Sequence, residues 1–123
     1  MNLKPKKMSF DLEQPAFLRD AKNLEWTVGQ VTLDSSKLDE GQEVLAGTAV
    51  HKNQETDLFE LVSDETAEEM VAPVLTGHTV VVSNKEVNEQ VSALRKASVY
   101  EEKLTGVTDE FKKATQGRIV YDV

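Results

Sequence analysis

Ala97-Ser98-Val99-Tyr100-Glu101-Glu102-Lys103-Leu104-Thr105-Gly106-Val107-Thr108-Asp109-Glu110-Phe111-Lys112-Lys113-Ala114-Thr115-Gln116-Gly117-Arg118-Ile119-Val120-Tyr121 reads as a strand, a loop, a short capped helix and a closing strand. Thr108 suits an N-cap, because its hydroxyl can accept from a backbone N–H in the first turn. Asp109 and Glu110 then sit at the positive end of the helix dipole, and Lys112 and Lys113 nearer its negative end. Gly117 stands where a helix ends. From Arg118 to Val123 the apolar residues Ile119, Tyr121 and Val123 alternate, which is the period of a strand.

Upstream, Glu86 to Lys96 has two readings. Val87, Val91 and Leu94 fit a helix face, whereas Val91, Ala93 and Arg95 fit a strand less well. We read a loop or helical turn through Glu89 and a strand from Gln90 to Val99, because Ala97 to Tyr100 prolongs it. His78-Thr79-Val80-Val81-Val82 is a β-branched run, expected to be buried on both faces or to point into a closed barrel. In Val71-Ala72-Pro73-Val74-Leu75, Pro73 argues for an edge position or a strand start. Ser63 to Met70 is an acidic stretch that could open a helical turn, capped by Ser63 or Asp64. Leu58 to Val62 reads as a strand after a turn over residues 52–57. Glu43 to Lys52 reads as one strand interrupted at Gly47, with Val44, Ala46, Thr48 and Val50 on one face. Leu24, Trp26 and Val28 alternate, and Val31 and Leu33 continue on the opposite parity, with Gly29 suggesting a bulge or bend at the switch.

Residues 1–23 read as an arm. Pro5 and Pro15 disfavour helix before them. Between them Met8, Phe10 and Leu12 alternate with polar residues, and Phe17-Leu18 adds an apolar pair. Such a segment suits addition to the edge of another sheet. The expected fold is mainly β. It is a small barrel- or sandwich-like body over residues 24–123, with one short C-terminal helix and an extended N-terminal arm.

The chain has 123 residues and net charge −8. That is one domain, or one domain with an arm. The first 23 residues carry five basic groups against three acidic, a net of +2. The rest carry nine against nineteen, a net of −10. An acidic body argues against nucleic acid as a partner. No stretch approaches the ~20 apolar residues of a membrane span. No apolar run follows the basic start, so no secretory signal is expected. With no cysteine there is no disulfide, thiol catalysis or thiolate metal site. Synthesis in the cytoplasm follows as the plain expectation.

Groups able to carry chemistry are sparse. His51 and His78 have no second histidine or carboxylate at metal spacing on the same element, so ordinary strand-end roles are the better reading. Glu65, Glu68 and Glu69 are dense, but acid–base work needs an apolar pocket that raises one pKa, and no aromatic residue stands there. They also lack the alternating spacing of a calcium loop, which leaves a solvated acidic turn. No serine sits in a glycine-bracketed nucleophile turn, and no Gly-Lys-Ser/Thr follows Gly41 or Gly47. Trp26 reads as core or interface packing. No catalytic residue, metal, cofactor or small-molecule substrate is expected, and no enzyme activity.

Two segments carry a resemblance: Gly41-Gln42-Glu43-Val44-Leu45-Ala46-Gly47-Thr48-Ala49-Val50, and the C-terminal stretch quoted above. In order and residue type they resemble the small head decoration proteins of tailed phages, the capsid-stabilising lambda-type family, over Leu24 to Val123. Thr115-Gln116-Gly117 favours helix less than the Ala-rich end usual in such proteins. The resemblance implies a structural virion protein on the outer surface of an expanded icosahedral head, clamping neighbouring capsomers against the pressure of packaged DNA. It implies the major capsid protein as partner and a homotrimer on the head. It also implies an arm that adds a strand to the capsid, here through Met8, Phe10, Leu12, Phe17 and Leu18. Deleting residues 1–23 would then leave the body folded. The alternative is a barrel-sandwich-type binding or carrier module. A carrier needs a modifiable lysine at a hairpin tip, and Lys52 precedes a turn without the usual flanking residues.

Overall fold

The computed structural model describes residues 16–19, 24–64, 66 and 70–122. It is mainly β, with 40% strand and 12% helix, as expected. Ten strands occur among the described residues. They are β1 (Glu25–Trp26), β2 (Val31–Leu33), β3 (Glu43–Val44), β4 (Ala49–Lys52), β5 (Phe59–Leu61), β6 (Val71–Thr76), β7 (Val80–Val81), β8 (Glu89–Val91), β9 (Ala93–Tyr100) and β10 (Ile119–Asp122). One α-helix, α1 (Asp109–Ala114), lies between β9 and β10. The main sheet runs β1-β9-β6-β4-β5-β2-β8, with β10 added to β9, and it curls into a half-barrel. A two-stranded sheet, β3 with β7, stands apart from it.

The curl comes from one bent ribbon. β1 pairs antiparallel with β9 and β2 pairs antiparallel with β8. Only Ser92 separates β8 from β9, and the Thr27 amide still reaches the Ala93 carbonyl at 2.9 Å. Between β1 and β2 the chain turns out at Val28-Gly29, with Gly29 at φ 77°. Gly29 therefore forms a protruding turn at the bend, the corner at which the sheet changes direction.

The central strands are buried on both faces. Ala49, Leu75 and Leu94 point into one core, with Phe17, Leu18, Val62, Ala97, Val99, Phe111 and Ile119. Their neighbours Val50, Val74 and Ala93 point into a second core inside the curl, with Val31, Leu33, Leu38, Val44, Val82 and Val91. Strand alternation sends successive residues to opposite faces, so each adjacent apolar pair serves two cores. Helix α1 closes the first core with Phe111, which is fully buried. The β3–β7 ribbon closes the second with Val44 and Val80.

Several local expectations change. Glu43 to Lys52 is two strands in two sheets, because Gly47, at φ 84°, turns the chain between them. The fully buried Thr76 holds that turn. Its hydroxyl donates to the Leu45 carbonyl at 2.9 Å and accepts from the Thr48 amide at 2.9 Å. In the His78 to Val82 run only Val80–Val81 is strand. Val82 is fully buried while Val81 stays 52% exposed, because the two-stranded ribbon has one covered face rather than two. The Gln90 to Val99 strand is present as β8 and β9, broken at Ser92. Lys96 faces Glu25 and Leu94 faces Trp26, so Arg95 is an extra residue, a bulge. The bulge resets the parity of β9, which lets Leu94, Ala97 and Val99 reach the same core.

The C-terminal unit forms as read. Thr108 caps α1 by accepting from the Phe111 amide at 3.1 Å. β10 then returns parallel to β9, with Ile119 beside Ala97 and Asp122 beside Tyr100. The Thr115 hydroxyl donates to the Phe111 carbonyl at 2.9 Å and meets the Tyr121 hydroxyl at 2.7 Å. Burial, the largest influence, pushes the Tyr121 phenol up to about 12. The Thr115 hydrogen bond and the Arg118 charge pull the other way. The folded state thus favours the neutral phenol. Its stabilisation is complete below the ordinary value of 10 and is lost as pH rises through about 12. Absorbance titration of the two tyrosines should show a late ionisation step near 12 that disappears in Tyr121→Phe. The same variant should flatten the fall in melting temperature above pH 10. Tyrosine ionisation complete by about pH 11 in the folded protein would contradict this, since a free phenol titrates near 10.

Candidate interaction surface

Phe17 and Leu18, expected in an arm ahead of the body, belong to the body. They are 2% and 4% exposed and sit in the first core. Their backbone runs along the edge of β9. Leu18 bridges Val99, the Tyr100 amide donates to the Phe17 carbonyl at 2.8 Å, and the Arg19 amide donates to the Ser98 carbonyl at 2.9 Å. The Arg19 guanidinium also holds the Asp122 carboxylate at 2.7 Å. The expected boundary at residue 23 is therefore too late, because two aromatic and aliphatic side chains before it complete the core. Met8, Phe10 and Leu12 lie outside the described residues, as do Glu65, Glu68 and Glu69.

Other candidates are placed as follows. His51 lies in β4 opposite Glu60. His78 Nδ1 is 2.8 Å from Ser92 Oγ, an exposed tie between the turn after β6 and the corner between β8 and β9. Among the described residues no group of three or more His, Cys, Asp and Glu is placed to hold a metal ion. None of the helices described is long and apolar enough to cross a membrane. Lys52 ends β4 with its Nζ 3.6 Å from Asp57.

Trp26 is not core. It is 44% exposed and lies across Gly77, where a Cβ would come within 2.4 Å of the indole ring and 2.7 Å of Ser92 Oγ. Only a residue without a side chain lets the ring lie flat there. Gly77→Ala should lift the indole into water. As Trp26 is the chain's one tryptophan, its emission should shift to the red at a stability cost of about 1 kcal/mol. Unchanged emission would show that the ring does not rest on Gly77.

Next to Trp26, the tip of the β1–β2 turn leaves Val28 wholly in solvent. Val28 and Thr27 border a groove of about 470 Å³ whose other walls are Ala72, Pro73, Val74, Arg95 and Arg118. Three irregularities make it. Arg95 is the β9 bulge. β6 carries a second bulge, since two steps on β4 from Val50 to Lys52 match three from Val74 to Val71, and Ala72 takes φ 49°. β6 also pairs with β9 only at Leu75 and Thr76, beyond which β10 takes its place. Arg118 plugs that fork, donating to the Arg95 carbonyl at 2.8 Å and the Pro73 carbonyl at 3.2 Å. Arg95 is ion-paired with Glu25. Burial, then the charge of Arg95, lowers the Arg118 pKa. Sequence reading missed both arginines. The poor fit of Arg95 to a strand pattern was the one available signal.

Comparison of the chain with known protein families, with curated proteins and with solved structures finds no match.

Proposed function

We propose that the protein is a structural decoration protein of a tailed-phage head, binding the outer surface of the expanded shell through its N-terminal segment and bracing neighbouring capsomers. The observation that carries this reading is the root of that segment. Phe17 and Leu18 are locked into the core and Phe17–Arg19 is laid along β9. A tension-bearing arm needs such an anchor. Beyond it stand fifteen residues with the alternation Met8, Phe10, Leu12. Fully extended they span roughly 50 Å at ~3.3 Å each, enough to reach a neighbouring subunit. The strand–helix–strand C-terminus on which the family resemblance rests, and the acidic body, fit the same role. In this reading the copies form trimers on the head.

Binding to purified, expanded, undecorated heads of the phage that encodes the protein tests it. Deleting residues 1–15, upstream of the anchor, should leave the body folded and weaken retention on heads at least about tenfold. That factor corresponds to the loss of roughly one buried apolar side chain. If the truncated protein saturates heads as the full chain does, the arm mechanism is wrong. If the full chain does not bind heads at all, the decoration role is wrong.

A further inference from the structure

The groove between the β1–β2 turn and the fork of β6 and β10 is lined by Arg95 and Arg118. The chain carries −8, yet two guanidinium groups meet here. Glu25 answers one of them. Arg118 makes only its two carbonyl contacts and has no carboxylate partner among the described residues. A guanidinium has five N–H donors in a planar fork, so those two contacts leave donors over. The contacts fix its plane, which lowers the ordering cost of receiving a planar acceptor. The walls beside it are apolar: Val28, Ala72 and Pro73. Along the groove β6 has parted from β9, and the Pro73 carbonyl on that edge takes the Arg118 guanidinium.

We propose that this groove receives an aspartate or glutamate carboxylate from an extended, largely apolar segment of a partner protein. Arg118 takes the carboxylate, Arg95 adds to the local positive charge, and Val28 with Pro73 packs on the flanking apolar side chains. Arg–carboxylate pairs with two parallel N–H···O bonds are among the stronger hydrogen-bonded contacts. Polyphosphates and nucleic acids fit less well, since the acidic body around the groove repels a polyanion. This inference does not depend on the head-binding reading.

The test uses the full chain, labelled for NMR, and the capped peptide acetyl-Val-Glu-Val-Glu-Val-amide. Its controls are the same peptide with Gln for Glu, and inorganic phosphate. The Glu peptide should shift the signals of Val28, Arg95 and Arg118 saturably, and added salt should weaken it. The Gln peptide and phosphate should bind at least about tenfold more weakly, the ratio set by one charge-assisted hydrogen bond. Arg118→Gln should abolish the difference between the two peptides. Because Arg118 also ties two strands, Val28→Asp serves as the second variant. Val28 is fully exposed, so the fold persists while a like charge enters the groove mouth. It should weaken the Glu peptide about tenfold more than the Gln peptide, which loses only the packing on Val28. Equal binding of both peptides, or phosphate binding as tightly as the Glu peptide, overturns the proposal. So does self-association of the free protein that Val28→Asp abolishes, which would assign the groove to a second copy.

Discussion

Removing residues 1–15 should leave the melting temperature within about 3 °C of the full chain, whereas removing residues 1–19 should lower it by on the order of 10–20 °C or unfold the protein. Phe17 and Leu18 set the difference. Each is almost wholly buried among Leu75, Leu94, Val99 and Phe111. Truncating a buried Phe or Leu to Ala costs about 3–5 and 2–5 kcal/mol respectively. A whole domain holds only ~5–15 kcal/mol of net stability. The two costs will not simply add, because both residues touch the same core. The truncation also strips Val99, Ser98 and Tyr100 of the backbone partners that line one edge of β9. Thermal melts of the two truncations, with Phe17→Ala beside them, check this. If the 1–19 truncation melts like the full chain, these residues contribute no more to the fold than a loose tail would. Head-binding experiments with the longer deletion would then be interpretable, and as the structure stands they are not.

Phe17-Leu18 was illegible in the sequence for a physical reason. Its partner, Val99, lies far along the chain, and an adjacent apolar pair after Pro15 has no period of its own. The C-terminal unit was legible because its signals are local. Thr108 caps the helix, Gly117 turns the chain beyond it and Ile119 with Tyr121 alternates, all within fourteen residues. The double-sided sheet was half legible. Ala49-Val50, Val74-Leu75 and Ala93-Leu94 are the adjacent apolar pairs of strands covered on both faces. The first of these falls inside an alternating pattern that runs across Gly47, where the sequence marks an interruption but not the change of sheet. The groove leaves one trace in the sequence, the poor fit of Arg95 to a strand pattern. It exists because two bulges and a forked strand bring Arg95 and Arg118 together, and no spacing in the chain reports that meeting.

Gly47 decides whether the anchor can seat, and Gly47→Ala should destabilise the protein by about 2–4 kcal/mol. Two effects combine. At φ 84° a Cβ meets the neighbouring backbone, which costs roughly 1–2 kcal/mol. That Cβ would also lie 3.0 Å from the Phe17 ring and 3.2 Å from Leu104. Crowding of this kind in a packed core costs typically ~1–3 kcal/mol. The backbone has little freedom to retreat. The Gly47 amide donates to the Thr76 carbonyl at 2.8 Å, and its own carbonyl accepts from the Thr105 amide at 3.1 Å. Thr105 in turn accepts from the Ala49 amide at 2.9 Å, so the turn is tied on both sides. Only the Phe17 ring and the end of Leu104 can give way, and moving Phe17 loosens the root of the N-terminal segment. A double-mutant cycle separates the two effects. Phe17→Leu, which trims the ring that faces Gly47, should remove the crowding and leave the backbone cost, so the two substitutions together should cost about 1 kcal/mol or more less than their sum. Strict additivity in chemical denaturation would mean that Gly47 acts through its backbone alone. The glycine would then be required for the turn between β3 and β4, and not for the aromatic ring laid against it.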